Sequence, residues 1–238
     1  MSRILYLLRL WLSLLLLFAL GKMVFLMYNA DVSPFGCADA WQVWWHGLTM
    51  DISTAGYVTA LPLLLALVSV WWRNLPLRWV LWPYLTVVAV LLAVIIGGDT
   101  VLYEFWKFKL NAAIFGYMQN PEGATSSVSP LFIITRVGGI LLLAVLAGWL
   151  LLRRTPVHFP AVHRRLVHTV LLVLCGGALF VGIRGGVQQG VMNVGVAYYS
   201  SSLFLNHAAV NPAFSLLSSL SKTKDFGGQF NWQDDKAV

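Results

Sequence analysis

The chain has 238 residues, of which 59% are hydrophobic and 11% charged, with 11 tryptophans and a mean hydropathy of +0.76. This excludes an ordinary soluble domain and predicts an all-α membrane protein with room for about five spans of roughly 20 residues. The formal charge of +7 is scattered between apolar blocks and forms no basic stripe, so no nucleic-acid partner is expected.

A first span is predicted at 10–28. Arg3 and Arg9 precede it, but Lys22 lies inside it, no small-x-small cleavage site follows, and further spans come after, so it reads as an uncleaved helix and not a removable leader. Lys22 is within snorkelling distance of the interface. The loop at 29–46 carries Pro34, Gly36 and the group Trp41, Trp44 and Trp45, suited to the headgroup level.

The second span, 47–70, holds Asp51 in its early turns. Asp51 reads either as a carboxylate favoured by the positive end of the helix dipole or as a polar group aimed at a headgroup or another helix. A connector with Arg73, Pro76 and Arg78 leads to the third span, 79–98. In 99–118, Leu102, Phe105, Trp106, Leu110, Ile114 and Tyr117 recur at three- and four-residue steps opposite Glu104, Lys107 and Asn111. This predicts an amphipathic interfacial helix.

The fourth span, 129–152, contains Arg136 near one end. A basic loop follows, in which His158, His163 and His168 share no helical face, so no metal site is expected. The fifth span, 166–183, is rich in glycine, which lets helices approach closely. Cys37 and Cys175 fall at different depths and are expected to remain unpaired.

Charge sets the expected orientation. The segments 1–9, 71–78 and 153–165 carry Arg3, Arg9, Arg73, Arg78, Arg153, Arg154, Arg164 and Arg165 and none of the nine acids. The much longer alternate segments carry only Lys107, Lys109, Arg184, Lys222, Lys224 and Lys236. The N-terminus is therefore expected inside and the C-terminus outside the membrane.

The segment 184–220 is too polar to span and too apolar for a solvated tail. Asn211 before Pro212 predicts the start of a helix, because proline at the first position needs no amide partner. A shorter helix is predicted from the Ser200 to Ser202 cluster through Asn206. Phe204, Leu205, Phe214, Leu216 and Leu217 would lay both along the outer leaflet, and residues 221–238 read as a linker.

The stretches HGLTMDISTAGY (46–57), DTVLYEFWKFKLN (99–111), RGG (184–186), YYSSSLFLNHAAVNPAF (198–214) and SLLSSL (215–220) resemble, in order and spacing, the N-terminal membrane domain of lipoteichoic acid synthase-like phosphotransferases. This is the sulfatase-family group related to phosphoethanolamine transferases. The resemblance covers nearly the whole chain. It implies an extracytoplasmic catalytic domain, in cis or as a separate chain, with a threonine nucleophile and a divalent metal, manganese or zinc. It also implies transfer of a phosphoglycerol or phosphoethanolamine headgroup from a membrane phospholipid.

None of that domain's catalytic residues lies in this sequence, so the chain by itself is expected to be inactive and to hold no cofactor. Candidate headgroup-binding residues are Asp51, Asp99, Tyr103, Arg184, Tyr198, Asn206 and Asn211, which gather near the expected outer interface. No ionisable group is expected at mid-bilayer, which weighs against an ion or proton pathway. A small polytopic scaffold or transporter subunit without headgroup chemistry is the alternative.

Overall fold

The computed structural model describes residues 2–72, 74–117, 129–187 and 192–229. The fold is all-helical, with no strand among the described residues. Among the described residues, five helices are long and apolar enough to cross a membrane: α1 (Arg3–Tyr28), α2 (Cys37–Trp71), α3 (Leu77–Trp106), α5 (Pro130–Leu152) and α6 (Arg165–Arg184). They make the chain a membrane-embedded, multi-pass protein. The short helices are α4 (Ile114–Tyr117), α7 (Leu203–Ala209) and α8 (Pro212–Gln229).

In space the long helices fan out as α6, α2, α1, α3, α5, each packing chiefly on its neighbours in that order. Helix α1 is central in that it packs on both α2 and α3, with Tyr6, Leu10, Leu14, Leu17, Phe18 and Phe25 of one broad face buried. The outermost helices bury little. Leu141, Val145, Leu166 and Leu174 are among the many large apolar residues that α5 and α6 turn outward, a surface that only a lipid environment suits.

Two proline positions show how sequence and packing fit. Pro62 lies inside α2 and lacks the amide that would bond the carbonyl of Val58. The Tyr84 hydroxyl of α3 donates to that carbonyl at 2.8 Å, so the bond lost to proline becomes a tie between helices. At the arginine-rich end, Arg3 is buried and donates to the Ser69 hydroxyl and carbonyl, both at 2.9 Å, and to the Pro160 carbonyl at 3.1 Å. It closes the last turn of α2. Both cysteines are free.

The structure differs from the predicted elements in three places. Helix α2 starts at Cys37, ten residues before the expected span, so the Trp41, Trp44 and Trp45 group rides on a helix and not in a loop. Residues 99–106 continue α3 without a break, and the chain reverses at Lys107, the one described non-glycine residue with positive φ (56°). The amphipathic helix expected over 99–118 therefore does not form: 108–113 is non-helical and only Ile114–Tyr117 turns again. Finally, α8 runs on to Gln229 where a linker was expected from 221; the rest of that linker, 230–238, lies outside the described residues.

The segment 192–222 forms a cap over the end of the bundle opposite Arg3. A 3₁₀ turn (Val194–Ala197) and Tyr199 pack against the projecting first turns of α2, with the rings of Tyr199 and His46 stacked at 4.3 Å. Helix α7 lies on α2 and α1. Its Phe204 and Leu205 were expected to face lipid. They are buried instead, Phe204 against Phe25 and Tyr103, because an apolar plug is what the open end of a helical bundle lacks.

Candidate functional site

Two ion pairs lie enclosed beneath the cap. Lys22 of α1 donates to Asp51 of α2 at 2.6 Å, and Lys109 donates to Asp99 of α3. All four side chains are at most 7% exposed. Lys22 lies six residues, about 9 Å, from the end of α1, and Asp99 seven residues, about 10 Å, from the end of α3. The snorkelling reading of Lys22 is thus corrected: its ammonium turns inward to a carboxylate.

Local structure explains how each charge reaches the cluster. The reversal at Lys107 folds 108–113 back over the bundle end, which drives Lys109 down to Asp99 and places its Nζ 4.2 Å from the Phe25 ring. Asp99 also accepts the Leu110 amide at 2.9 Å. Asp51 accepts from the Asn211 side-chain amide at 2.9 Å, while Asn211 Oδ1 accepts the amides of Ala213 and Phe214. One asparagine therefore caps α8, as the Asn211–Pro212 pair predicts, and anchors it to the charges in the bundle.

Gly47 completes the arrangement. A Cβ there would run into the Ala209 carbonyl and the Lys22 ammonium, so the approach of α7 to α2 requires glycine. The cavity between the ion pairs, lined among others by Gly21, Lys22, Asp99, Lys109 and Asn211, measures about 10 Å³. That is room for one water at most. The cluster fastens the cap to the bundle.

The seven sequence candidates separate accordingly. Asp51, Asp99, Tyr103, Asn206 and Asn211 are between 0 and 7% exposed, so a headgroup outside the bundle does not reach them. Asn206 staples its own loop, accepting the amides of Tyr199 and Ser200 and donating to the Ser200 carbonyl. Tyr198 and Arg184 are exposed, Arg184 at the end of α6. Sequence reasoning missed Lys109 and His207, and the signal was weak: a lysine next to a short non-helical stretch and a single histidine.

His207 shares a 3.0 Å hydrogen bond with the Tyr103 hydroxyl. Burial, and secondarily the Lys109 ammonium, push its pKa below the usual value, and Asp99 only partly opposes this. Burial likewise lowers the pKa of Lys109, against the pull of Asp99. Because the docked cap depresses the His207 pKa, the released or unfolded chain binds the proton more readily. The contribution of neutral His207 is present above the ordinary value of about 6.5 and is lost as pH falls below it. Thermal unfolding in a neutral detergent is expected to show a lower midpoint at pH 5 than at pH 7.5, and His207→Gln is expected to reduce that difference. An unchanged difference would assign the acid sensitivity elsewhere.

A second feature of the capped end is open. Thr54 and Tyr57 of α2, Met192, and Phe214, Leu217, Ser218, Ser221 and Lys222 of α8 line a notch of about 360 Å³. Hydroxyls and an ammonium share it with apolar side chains, and Tyr57 and Leu217 are more than half exposed. Among the described residues no group of three or more His, Cys, Asp or Glu is placed to hold a metal ion. Comparison with family profiles, with curated proteins and with solved structures returns no match to the chain.

Proposed function

We propose that this chain is the membrane-anchoring and lipid-presenting part of a lipid headgroup phosphotransferase of the lipoteichoic acid synthase-like kind. The capped end faces outward and the arginine-rich end faces the cytoplasm of a bacterial inner membrane. The observation that carries the reading is the notch between α2 and α8, which sets Lys222, Ser218, Ser221 and Tyr57 around an opening walled by Phe214 and Leu217. A phospholipid has that distribution at its headgroup and glycerol: an anion with hydrogen-bond acceptors above an apolar body. The charge fastener gives the notch a fixed wall, since α8 is tied to Asp51 through Asn211.

The chemistry itself belongs to a metal-dependent catalytic domain on the outer face, in cis or as a separate chain, which receives the lipid from the notch. In this reading α4 and the exposed side of α8 lie along the outer leaflet. A transporter draws no support from the buried charges, which enclose a cavity of only about 10 Å³.

The test supplies fluorescent phosphatidylglycerol or phosphatidylethanolamine with manganese and follows diacylglycerol. Residues 1–238 alone are expected to release none. A soluble catalytic domain of this enzyme class, mixed with or fused to the chain, is expected to work faster than the domain by itself, and Lys222→Ala to remove much of the gain. No acceleration by the chain would overturn the presenting role, and release by the chain alone would mean a catalytic centre within it. Reporter fusions in the 153–164 loop and after residue 229 are expected on opposite sides of the membrane, the second outside.

A further inference from the structure

At the end of the bundle opposite the cap, α1 and α5 enclose a cleft of about 320 Å³ lined by Arg9, Arg153 and Arg154 together with Tyr6, Leu12, Ser13, Leu16 and Leu150. Arg9, Leu12, Ser13 and Leu16 are spaced by three, one and three residues, so they form one face of α1. Leu12 and Leu16 are half exposed and continue the cleft along the apolar flank of the bundle. Arg153 and Arg154 stand just past the last turn of α5, with the Arg153 guanidinium 4.2 Å above the Trp149 ring.

Three guanidiniums thus gather on one opening whose deeper wall is leucine. Tyr6 closes the floor of the cleft: it is 1% exposed, with its hydroxyl beside that of Thr155. The neighbouring Thr155 hydroxyl is turned to the Leu151 carbonyl at 3.5 Å.

We infer that this cleft is a binding site for an anionic phospholipid of the leaflet at the arginine-rich end, its phosphodiester held by Arg9, Arg153 and Arg154 and its acyl chains lying along Leu12 and Leu16. Charge complementarity selects the occupant. Guanidinium forks match phosphate oxygens two at a time, and basic pockets between helices are where acidic headgroups settle. The continuous leucine wall favours a lipid over a free phosphate ion. The site is separate from the notch at the capped end, so it stands or falls independently of the phosphotransferase reading.

Native mass spectrometry of the whole chain in a neutral detergent tests it, with dioleoyl phosphatidylglycerol, dioleoyl phosphatidylcholine and inorganic phosphate as probes. Phosphatidylglycerol is expected to be retained in preference to phosphatidylcholine, and inorganic phosphate not to compete at equal concentration. Arg153→Gln combined with Arg154→Gln is expected to weaken phosphatidylglycerol binding about tenfold or more, the equivalent of losing at least one charge-assisted hydrogen bond. Both side chains are exposed, so the fold is expected to survive, which the unfolding midpoint checks. Arg9→Gln alone is expected to act in the same direction, and lysine at all three positions to restore binding only in part. Arg78→Gln, which lies in a different groove with Trp79 and Trp82, serves as the control for diffuse charge. Equal losses with Arg78→Gln, no loss with the double variant, or equal competition by inorganic phosphate would each overturn the proposal.

Discussion

Asp51→Leu is expected to destabilise the protein by about 3–5 kcal/mol, because it leaves the Lys22 ammonium buried without its carboxylate. Lys22 is 4% exposed and sits behind α7, where solvent does not reach it. The same substitution removes the acceptor of the Asn211 amide and so loosens α8 from the bundle. The diagnostic comparison is the double variant Lys22→Met with Asp51→Leu. Removing both charges eliminates the desolvation cost along with the attraction, so most of the stability is expected to return. Thermal unfolding in detergent measures both effects. If the double variant is as unstable as Asp51→Leu, the pair does more than neutralise itself.

Gly47→Ala is expected to displace the cap. The added methyl collides with a backbone carbonyl, that of Ala209, which has no rotamer by which to yield, and with the Lys22 ammonium. Overpacking of this kind costs about 1–3 kcal/mol where the surroundings can adjust. Here they can adjust only by moving α7 off α2. The measurement is a single cysteine at Ala209 in a Cys37→Ser, Cys175→Ser background, since Cys37 is exposed and Cys175 only partly buried. A water-soluble thiol reagent is expected to label Ala209→Cys slowly in the parent and at least several-fold faster with Gly47→Ala. Gly98→Ala is the contrast: a Cβ there meets nothing within 4 Å, so the helix-propensity gain of up to about 1 kcal/mol is expected to leave the cap in place. Equal labelling in the two glycine variants would show that the contact at Gly47 does not hold the cap.

In the proposed reading, the buried charges of the capped end hold parts of the chain together, while the notch beside them is the place of lipid recognition. Asp51 and Asn211 then influence any lipid site only by fixing α8. Their replacement is expected to broaden or abolish headgroup preference together with stability, whereas Lys222→Ala is expected to change lipid handling with the unfolding midpoint intact. That separation follows from exposure, since Lys222 lies at the surface and Asp51 is 1% exposed.

The sequence by itself determined the five apolar helices, because a run of roughly 20 largely apolar residues with at most one charged residue has few other stable states in a bilayer or in water. It also determined the start of α8, since the Asn211–Pro212 cap is a matter of adjacent residues. It did not determine the course of 99–118. The three- and four-residue spacing of its apolar residues is equally compatible with one amphipathic helix and with the end of α3 followed by a fold-back. The second won because Lys109 and the Leu110 amide both reach Asp99 only if the chain reverses at Lys107. Nor did local pattern show that Lys22 turns inward or that Phe204 is a plug: Lys22 finds Asp51 29 residues away, and Asp51 finds Asn211 160 residues away. Periodicity reports which face of a helix is apolar. Which charge that face meets is fixed only when the helices pack, because a buried ion is stable only opposite its partner.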